Sequence, residues 1–475
     1  MSGPVEREAG GDRERTALLS ELAAAVGPAH VLVDPDVTAS FCTDWTGRFA
    51  GRTPAVVRPG STVEVAGVLE VCRRHGVGLT PQGGNTGLAG GAVPLRGEVV
   101  CSLRRLSSLS EVDRDVGQLT AGAGVTIAAV QARAAAAGWA YGVDFASRDS
   151  ATVGGSVATN AGGLRVLRYG DTRAQVVGIE AVLGTGDVVS HLGGLIKDNT
   201  GYHLPSLLCG SEGTLGIVTA ARLRLVPNEA ERVVALLAFG DVAAALAAVG
   251  SLRSGLASLS AAELFFDEGL ALVCSVAGLA PPFAARHRVY VLVEVAGRTD
   301  PSAELASAVD SLAGVADAAV ATDGVRGAQL WRYREAHTEA IATVGTPHKL
   351  DVTLPPGALA EFVDAVRGVV EGVSPGAQVW LFGHAGDGNL HVNVTGAAPG
   401  DDRIDEAVLT LAAGMGGSIS AEHGIGVAKA RWLSLNRSPA EISAFRAIKR
   451  ALDPDGVLNP GVLFPPEPGV ASPFS

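Results

Sequence analysis

Three loops in the first half of the chain are so rich in glycine that the backbone there is expected to approach a ligand closely. Residues 81–91 contain five glycines directly after a predicted strand, residues 152–163 form a second cluster of small residues, and residues 209–217 form a third. Glycine permits positive φ and lets backbone N–H groups face a pyrophosphate. One such loop would equally fit a surface turn, but three in one region predict a large dinucleotide-type ligand.

The signatures of the common nucleotide-binding folds are absent from the sequence. Neither Gly-x-Gly-x-x-Gly nor a Walker A pattern occurs anywhere in the 475 residues. The first absence disfavours a Rossmann enzyme with a nicotinamide cofactor, because that fold binds pyrophosphate through the missing fingerprint.

Apolar periodicity divides the chain into two regions that both mix helices and strands. In the first, a strand at 55–57, a helix at 62–74 and a strand at 77–80 form a β-α-β unit that leads into the first glycine loop. In the second, strands alternate with helices from residue 232 onward, which predicts an antiparallel sheet with helices on one face and an α+β fold class. The other predicted helices are 14–26, 125–137, 241–252, 301–313, 325–342, 357–371, 403–413 and 439–452. The other predicted strands are 99–103, 118–121, 176–183, 217–225, 232–238, 288–296 and 348–354.

Composition and charge exclude several classes of protein. Hydrophobic residues make up 47% of the chain, so a large core can form, and the length predicts two or three domains. The net charge of −12, without a basic patch, argues against binding to nucleic acid. An apolar signal region and a long apolar run are both missing, which argues against secretion and a membrane span. The five scattered cysteines, with no Cys-x-x-Cys pair, predict reduced thiols in a cytoplasmic protein.

A histidine-containing hairpin is predicted in the second region. The Asp387-Gly388 pair is flanked by apolar residues and favours a two-residue turn, which would pair His384 with His391. Cross-strand partners hold their Cβ atoms about 4.5–5.5 Å apart, close enough for both side chains to bind one metal ion. Asn393 would lie on the same face of the strand as His391.

Glu422 lies about thirty residues beyond this hairpin and could supply a third ligand. A His-His-Glu set with an open coordination position is typical of catalytic rather than structural zinc. On spacing alone, ordinary hydrogen-bonded histidines are an equally good interpretation, because Glu422 is distant in sequence.

The order and length of these motifs resemble one flavoprotein family. Residues 81–91, 154–163 and 210–217 resemble the recurrent FAD-contacting loops of the vanillyl-alcohol oxidase and p-cresol methylhydroxylase superfamily. The second half contains Gly-His-x-Gly-Asp-Gly-Asn-Leu-His-x-Asn from Gly383 and Glu-His-Gly from Glu422. It resembles the D-2-hydroxyacid dehydrogenase branch, which includes the D-2-hydroxyglutarate dehydrogenases, the D-lactate dehydrogenases and the flavin subunit of glycolate oxidase. The first of these groups is the most similar.

This resemblance implies a two-subdomain FAD-binding domain of the p-cresol methylhydroxylase type and a cap domain in which helices cover an antiparallel sheet. Four segments are expected from it. They are an N-terminal helical extension (1–51), the FAD-binding domain (52–229), a substrate- and metal-binding cap domain (230–430) and a C-terminal helix and tail that return to the FAD-binding domain (431–475).

The resemblance also assigns roles to individual residues. It implies His423 as the catalytic base and, as ligands of zinc or another divalent metal, His384, His391 and Glu422. The implied substrate contacts are Arg334, Thr338, Lys349 and Asn393. The implied cofactor-binding residues are Pro81, Gly83, Gly84, Asn85, Thr86, Gly87, Thr152, Gly155, Ala158, Asn160, Gly163, Glu212, Gly213, Ile217 and Asn459. Without the resemblance, the arginine and the lysine would fit a solvated surface better.

The implied reaction is oxidation of a D-2-hydroxy acid to the 2-oxo acid, with hydride transfer to N5 of FAD. D-2-hydroxyglutarate and D-lactate are the expected substrates. The loop 81–91 has no histidine, so the FAD is expected to be bound noncovalently. The sequence does not identify the electron acceptor and is compatible with a homodimer. Two alternatives are a flavin subunit of a glycolate oxidase-type complex and a flavin-free zinc hydrolase, in which the glycine loops would have no role.

Overall fold

A computed structural model describes residues 4–465 of the chain. Residues 1–3 and 466–475, the ends of the first and last expected segments, lie outside the described residues. Within the described range, none of the helices is both long and apolar enough to cross a bilayer.

The first sheet and its helices form one half of the predicted FAD-binding domain. Its elements are α1 (Pro4–Val26), β1 (Val31–Leu32), α2 (Pro35–Thr38), β2 (Val56–Val57), α3 (Thr62–His75), β3 (Leu79–Gln82) and β4 (Val99–Ser102). The strand order is β1-β2-β4-β3, with β4 parallel to both of its neighbours. The predicted β-α-β unit is therefore present, but β4 lies between its two strands.

Helix α3 illustrates how the sequence determines these elements. The Ser61 side chain accepts a hydrogen bond from the Glu64 amide and begins the helix, and Gly76 ends it at φ +62°. Its apolar residues recur at helical spacing and are buried against the sheet together with Leu18 and Leu22 of α1. The N-terminal helix is thus part of the core of this half.

The second half of the domain is built on an antiparallel sheet of order β5-β9-β7-β8. Its elements are β5 (Gln118–Gly122), α4 (Ile127–Ala136), β6 (Trp139–Ala140), α5 (Val153–Thr159), α6 (Val166–Tyr169), α7 (Thr172–Gln175), β7 (Val176–Leu183), β8 (Val188–His191), α8 (Leu204–Leu208), β9 (Gly216–Arg224) and β10 (Val226–Pro227). Strand β6 pairs with β10. Two sheets, each with its own main core, confirm the two-subdomain arrangement, and Val182 and Ile217 of the second sheet pack into the core of the first.

The second region folds around one antiparallel sheet of seven strands, in the order β14-β11-β13-β12-β16-β17-β15. Its strands are β11 (Glu231–Phe239), β12 (Leu259–Phe266), β13 (Val289–Gly297), β14 (Val315–Ala321), β15 (His348–Thr353), β16 (Gln378–His384) and β17 (Asn389–Thr395). Its helices are α9 (Val242–Gly255), α10 (Asp267–Ala277), α11 (Ser302–Asp310), α12 (Gly324–Glu335), α13 (His337–Ala342), α14 (Pro356–Val373) and α15 (Asp402–Gly414). The antiparallel sheet covered by helices is therefore confirmed.

Helices cover both faces of this sheet, so the expectation of helices on one face is wrong. Helices α9, α11, α14 and α15 pack on one face, whereas α10, α12 and α13 pack on the other. The buried residues of β11 show why, because successive residues such as Val233 and Val234 contribute to the two different cores. A strand that is buried on both faces carries a continuous apolar run instead of an alternating one.

The C-terminal segment returns to the first sheet. Helix α16 (Pro439–Leu452) begins with a capping box formed by Ser438 and Glu441. After it, Leu458 forms a parallel bridge with Leu79 of β3, and the Asn459 amide donates to the Leu79 carbonyl oxygen at 2.9 Å. This pairing brings Asn459 beside the first glycine loop.

Candidate active site

A cavity of about 540 Å³ lies between the glycine loops and the strands β15, β16 and β17. Of the residues predicted to bind cofactor, substrate or metal, every one except Asn160 lines this cavity. The structure therefore brings together residues that are up to 378 positions apart, from Pro81 to Asn459.

The first two glycine loops pack so closely that their backbones leave no room for larger residues. A Cβ atom on Gly83 would lie 2.2 Å from Thr152 Oγ1, and one on Gly84 would lie 2.1 Å from the Ser150 carbonyl oxygen. Asn85 adopts φ +57°, and its side-chain amide donates to the Thr43 carbonyl oxygen at 2.8 Å. The loops thus form a cradle of backbone groups on one wall of the cavity.

Asn160 ends helix α5 and points away from the cavity. It adopts φ +50°, its side-chain amide donates to Asp171 Oδ2 at 2.7 Å, and its side-chain oxygen accepts from the Arg173 amide at 2.8 Å. Through these hydrogen bonds, Asn160 therefore stabilises the shape of the second loop.

Glu212 connects the third glycine loop to the segment that follows His423. The two carboxylate oxygens of Glu212 accept hydrogen bonds from the amides of Ile425, at 2.8 Å, and Gly426, at 2.7 Å. Burial raises the pKa of this carboxyl group. The side-chain amide of Asn459 donates to the carbonyl oxygens of Glu212 and Gly91, which ties the first and third loops together.

The hairpin that carries the two predicted histidine ligands has a longer turn than the sequence predicts. His384 pairs with Asn389, not with His391, so the turn comprises the four residues 385–388 instead of Asp387-Gly388 alone. The register differs from the prediction by two residues. Because side chains alternate with a period of two, this shift leaves His384 and His391 on the same face.

His384, His391 and Glu422 form a group that could hold a metal ion, with candidate ligand atoms within 4.8 Å of one another. His384 Nε2 lies 3.6 Å from Glu422 Oε1, and the two imidazole ring centroids are 5.3 Å apart. Burial acts to lower the pKa of His384, but the carboxylates of Glu263 and Glu422 raise it to about 9. Without a metal, the two carboxylates therefore favour a positive charge on His384. A divalent ion would bring positive charge to the same nitrogen and oxygen atoms, so the group fits such an ion.

His423 lies next to this group. Its ring stacks on that of His391, with centroids 5.7 Å apart and planes 9° from parallel. Burial lowers the pKa of His423 to about 3, so the imidazole is neutral at physiological pH. Among the described residues, its Nδ1 atom has no hydrogen-bond partner.

The predicted substrate contacts surround the same end of the cavity. Arg334 Nε lies 2.8 Å from Glu263 Oε2, and the guanidinium group lies 4.7 Å from the centre of the Phe382 ring. The ammonium group of Lys349 lies 4.9 Å from the centre of the Trp45 ring, and burial lowers the pKa of this lysine to about 8. Both cations line the cavity, so the interpretation of either as a solvated surface charge is wrong.

Arg334 and Thr338 belong to two consecutive helices, not to the single helix predicted at 325–342. Helix α12 ends at Glu335, and α13 begins at His337. A ring nitrogen of His337 lies 3.2 Å from the Arg334 carbonyl oxygen, so a side chain takes the place of part of the helical hydrogen bonding. Both Arg334 and Thr338 still line the cavity.

Asn393 is 4% exposed, and its side-chain nitrogen has no hydrogen-bond partner within the described part of the chain. A buried amide without a partner costs free energy unless a ligand completes it. Its position on the cavity wall, next to Lys349 in the sheet register, fits a contact to substrate.

Two buried carboxylates of this site were not predicted from the sequence. Glu263 accepts a hydrogen bond from His384 Nδ1 at 2.7 Å, and it lies on β12, a strand that was not predicted because all eight of its residues are buried. Asp351 contacts His391 and the backbone of residues 421–423. Its position could be predicted from the sequence, because Asp351 lies two residues beyond Lys349 and therefore on the same face of β15, but its backbone partners could not.

Two family models match the chain. One, described as "FAD binding domain", matches residues 53–191, and the other, described as "FAD linked oxidases, C-terminal domain", matches residues 228–463. The first match contains two of the three glycine loops, and the third lies between the two matches. These matches argue against the flavin-free hydrolase.

Relatives of known function are similar over nearly the whole chain. The D-2-hydroxyglutarate dehydrogenase of Xanthomonas citri pv. viticola is 39% identical over 452 residues, which cover 93% of this chain and 95% of that protein. The mitochondrial D-2-hydroxyglutarate dehydrogenase of Bos taurus is 36% identical over 451 residues, which cover 93% of this chain and 82% of that protein.

Solved structures share the fold at lower identity. p-Cresol methylhydroxylase superimposes with a TM-score of 0.77 at 17% identity, covering 95% of this chain and 97% of that one. The 4-ethylphenol oxidase of Gulosibacter chungangensis gives a TM-score of 0.76 at 20% identity, covering 96% and 98%. Together with the sequence relatives and the cavity described above, these likenesses confirm the predicted family: the chain belongs to the FAD-linked oxidases that include the D-2-hydroxyglutarate dehydrogenases.

Proposed function

We propose that this chain is an FAD-dependent dehydrogenase that oxidises a D-2-hydroxy acid to the 2-oxo acid with the help of a divalent metal. The best-supported substrate is D-2-hydroxyglutarate, the substrate named for relatives at up to 39% identity. The observation that carries the proposal is the single cavity in which the glycine cradle faces the His384, His391 and Glu422 group.

The cradle fits a noncovalently bound FAD. Its walls are backbone and small side chains from three loops, and the loop 81–91 offers no histidine for covalent attachment. FAD, when bound, supplies an acceptor for the hydride that leaves the substrate. The protein's part is to hold the substrate carbon beside the ring and to exclude water from the reacting atoms.

The His384, His391 and Glu422 group fits zinc or another divalent metal, because two nitrogens and a carboxylate leave a coordination position open. A metal held there supplies a Lewis acid beside the substrate hydroxyl group. His423, neutral and adjacent, is in the protonation state required to accept the hydroxyl proton.

Arg334 and Lys349 would bind the carboxylates of the substrate. Their positive charges line the cavity on the sheet side, and Thr338 and Asn393 add neutral hydrogen-bonding groups there. Two cations suit a dicarboxylate such as D-2-hydroxyglutarate better than D-lactate, which has a single carboxylate. The need for an electron acceptor of unspecified kind, a homodimer and a cytoplasmic location stay predictions, and relatives such as the bovine protein are mitochondrial.

Reduction of an artificial dye tests this proposal directly. The purified protein should be yellow and should reduce the dye with D-2-hydroxyglutarate, more slowly with D-lactate or glycolate, and not with the L-isomers. Removal of metal with a chelator should abolish the reaction without removing the flavin colour, and Zn²⁺ should restore it. A colourless protein, or full activity after chelation, would contradict the proposal. An active chain that requires added partner subunits would favour the glycolate oxidase-type alternative.

A further inference from the structure

One carboxylate oxygen of Asp351 accepts three consecutive backbone hydrogen bonds. The amides of Ala421, Glu422 and His423 donate to Asp351 Oδ2 at 3.1, 2.6 and 2.9 Å. Asp351 is fully buried. The backbone that carries the third predicted metal ligand and the predicted base therefore converges on a single anionic oxygen from strand β15.

The other oxygen of Asp351 determines which nitrogen of His391 faces the metal position. Asp351 Oδ1 accepts from the Asn389 side-chain amide at 2.7 Å and lies 3.3 Å from His391 Nδ1. A carboxylate can only accept, so His391 must carry its proton on Nδ1. The lone pair of Nε2 is then free for a metal ion.

Asp351 could instead be a ligand itself, since Asp351, His391 and His423 also lie within 4.8 Å of one another. Its hydrogen bonds argue against this role. Oδ2 already accepts hydrogen bonds from three backbone amides, and Oδ1 accepts one from the side-chain amide of Asn389. A metal ion bound to Asp351 would have to displace some of these donors. Asp351 also does not line the cavity, whereas His384, His391 and Glu422 do.

We propose that Asp351 is a positioning residue of this site, which fixes Glu422 and His423 through their backbone amides and His391 through its tautomer. It does not line the cavity that would hold substrate and cofactor. The inference rests on the proposed metal-assisted oxidation. In that reaction, Asp351 would hold two metal ligands, His391 and Glu422, and the base, His423, in place at the same time.

The substitution Asp351→Asn separates these roles from simple packing, because it keeps the shape and removes one acceptor. If the new oxygen faces residues 421–423, the new NH₂ group faces two donors, the Asn389 amide and His391 Nδ1–H. His391 must then move its proton to Nε2, which removes the lone pair required for the metal. If the new side chain takes the opposite orientation, the backbone amides of residues 421–423 face its NH₂ group, which cannot accept their hydrogen bonds.

Asp405→Asn is the matched control. Asp405 is a buried carboxylate of the same region and also binds a buried histidine, with Oδ1 at 2.9 Å from His348 Nδ1, but neither residue lines the cavity. Both variants would be prepared with FAD bound and stripped of metal, and Zn²⁺ binding would be measured by competition with a chelator. Co²⁺ spectra would report the geometry of the site.

Asp351→Asn is expected to weaken Zn²⁺ binding by about 10- to 100-fold and to alter the Co²⁺ spectrum. Its kcat should stay low at saturating Zn²⁺, because His423 is displaced, while its flavin absorbance matches that of Asp405→Asn. Equal Zn²⁺ affinity and kcat in the two variants would overturn the inference. A wild type that is fully active after chelation would overturn the proposed function as well.

A measurement on the unmutated protein covers the case in which Asp351→Asn does not fold. In metal-free protein with ¹⁵N-labelled histidine, the ring nitrogen shifts of His391 should report a proton on Nδ1. A neutral His391 with its proton on Nε2 would overturn the inference.

Discussion

The two walls of the cavity bind their ligands with different parts of the chain. The wall of glycine loops uses backbone groups and close packing, as at Gly83 and Gly84, where even a methyl group would meet neighbouring atoms at about 2 Å. The wall formed by the sheet uses charged side chains, held by buried carboxylates such as Glu263 and Asp351. We infer that the close packing of the glycine loops determines cofactor binding, whereas the charged side chains of the sheet wall determine the chemistry. Four experiments test whether the two walls have these separate roles.

The largest effect is expected at His423. His423→Ala removes the predicted base from the sheet wall and should lower kcat by about 10²- to 10⁴-fold. The glycine wall is untouched, so visible flavin absorbance should remain. Dye reduction and an absorbance spectrum of the same preparation measure the two properties. Loss of the yellow colour would show that the walls are not independent.

Glu212 belongs to both walls and therefore tests their connection. In Glu212→Gln an NH₂ group would face either the Ile425 or the Gly426 amide, and the segment that follows His423 should shift. A lost charge-assisted hydrogen bond costs about 1.5–3 kcal/mol, so kcat/KM should fall by about 10- to 100-fold. Steady-state kinetics with FAD-saturated protein measures the change.

Glu98→Gln is the control for this substitution. Glu98 is a buried carboxylate of the same domain that accepts from the Arg96 amide at 2.8 Å and does not line the cavity. Its kinetics should match those of the wild type. A similar loss of kcat/KM in both variants would attribute the effect at Glu212 to general destabilisation.

Gly84→Ala tests whether close packing forms the cofactor wall. The new Cβ would meet the Ser150 carbonyl oxygen at 2.1 Å, and the resulting overpacking should destabilise the protein by about 1–3 kcal/mol and weaken FAD binding. Zn²⁺ binding to the sheet wall should change little. In contrast, Gly87→Ala meets no atom of the described residues within 4 Å, so thermal unfolding of that apoprotein should match the wild type.

The smallest effect concerns the charge of Lys349. Burial lowers the pKa of this lysine to about 8, so it is charged below that pH and becomes neutral as the pH rises. Binding of an anionic substrate then weakens, and kcat/KM should fall above pH 8 by up to about tenfold per pH unit. Lys349→Arg keeps its charge and should lose this inflection. The same inflection in that variant would assign it to another group.

Much of this site could be predicted from the sequence because its motifs are local. The glycine loops, His384 with His391, and Glu422 with His423 each lie within short segments, and the cavity contains all of them. The turn of the hairpin could not be predicted, since its register depends on Asn389. The side chain of Asn389 donates to Asp351 and to the Val352 carbonyl oxygen, contacts made about 38 residues away in sequence.

Glu263 and Asp351 were missed for different physical reasons. Strand β12 is buried on both faces, so it has no alternation that periodicity could detect. Asp351 lies on a strand that was predicted, but its partners are backbone amides some seventy residues later, and backbone groups leave no trace in a sequence. Contacts between distant segments were therefore the main part of the site that the sequence could not reveal.

The order of the strands has a consequence for how this enzyme could diverge. Glu263, His384, His391 and Lys349 lie on β12, β16, β17 and β15, which are adjacent and make up four of the seven strands of the sheet. Strands β14, β11, β13 and β12 contribute no cavity-lining residue from the described part of the chain, although Glu263 of β12 contacts His384 and Arg334, which do line it. Evolution should therefore tolerate insertions next to β14, the edge strand farthest from β15, without loss of activity. Substitutions on β15, in contrast, can change the substrate preference, because this edge strand has only one neighbouring strand that must accommodate each new side chain.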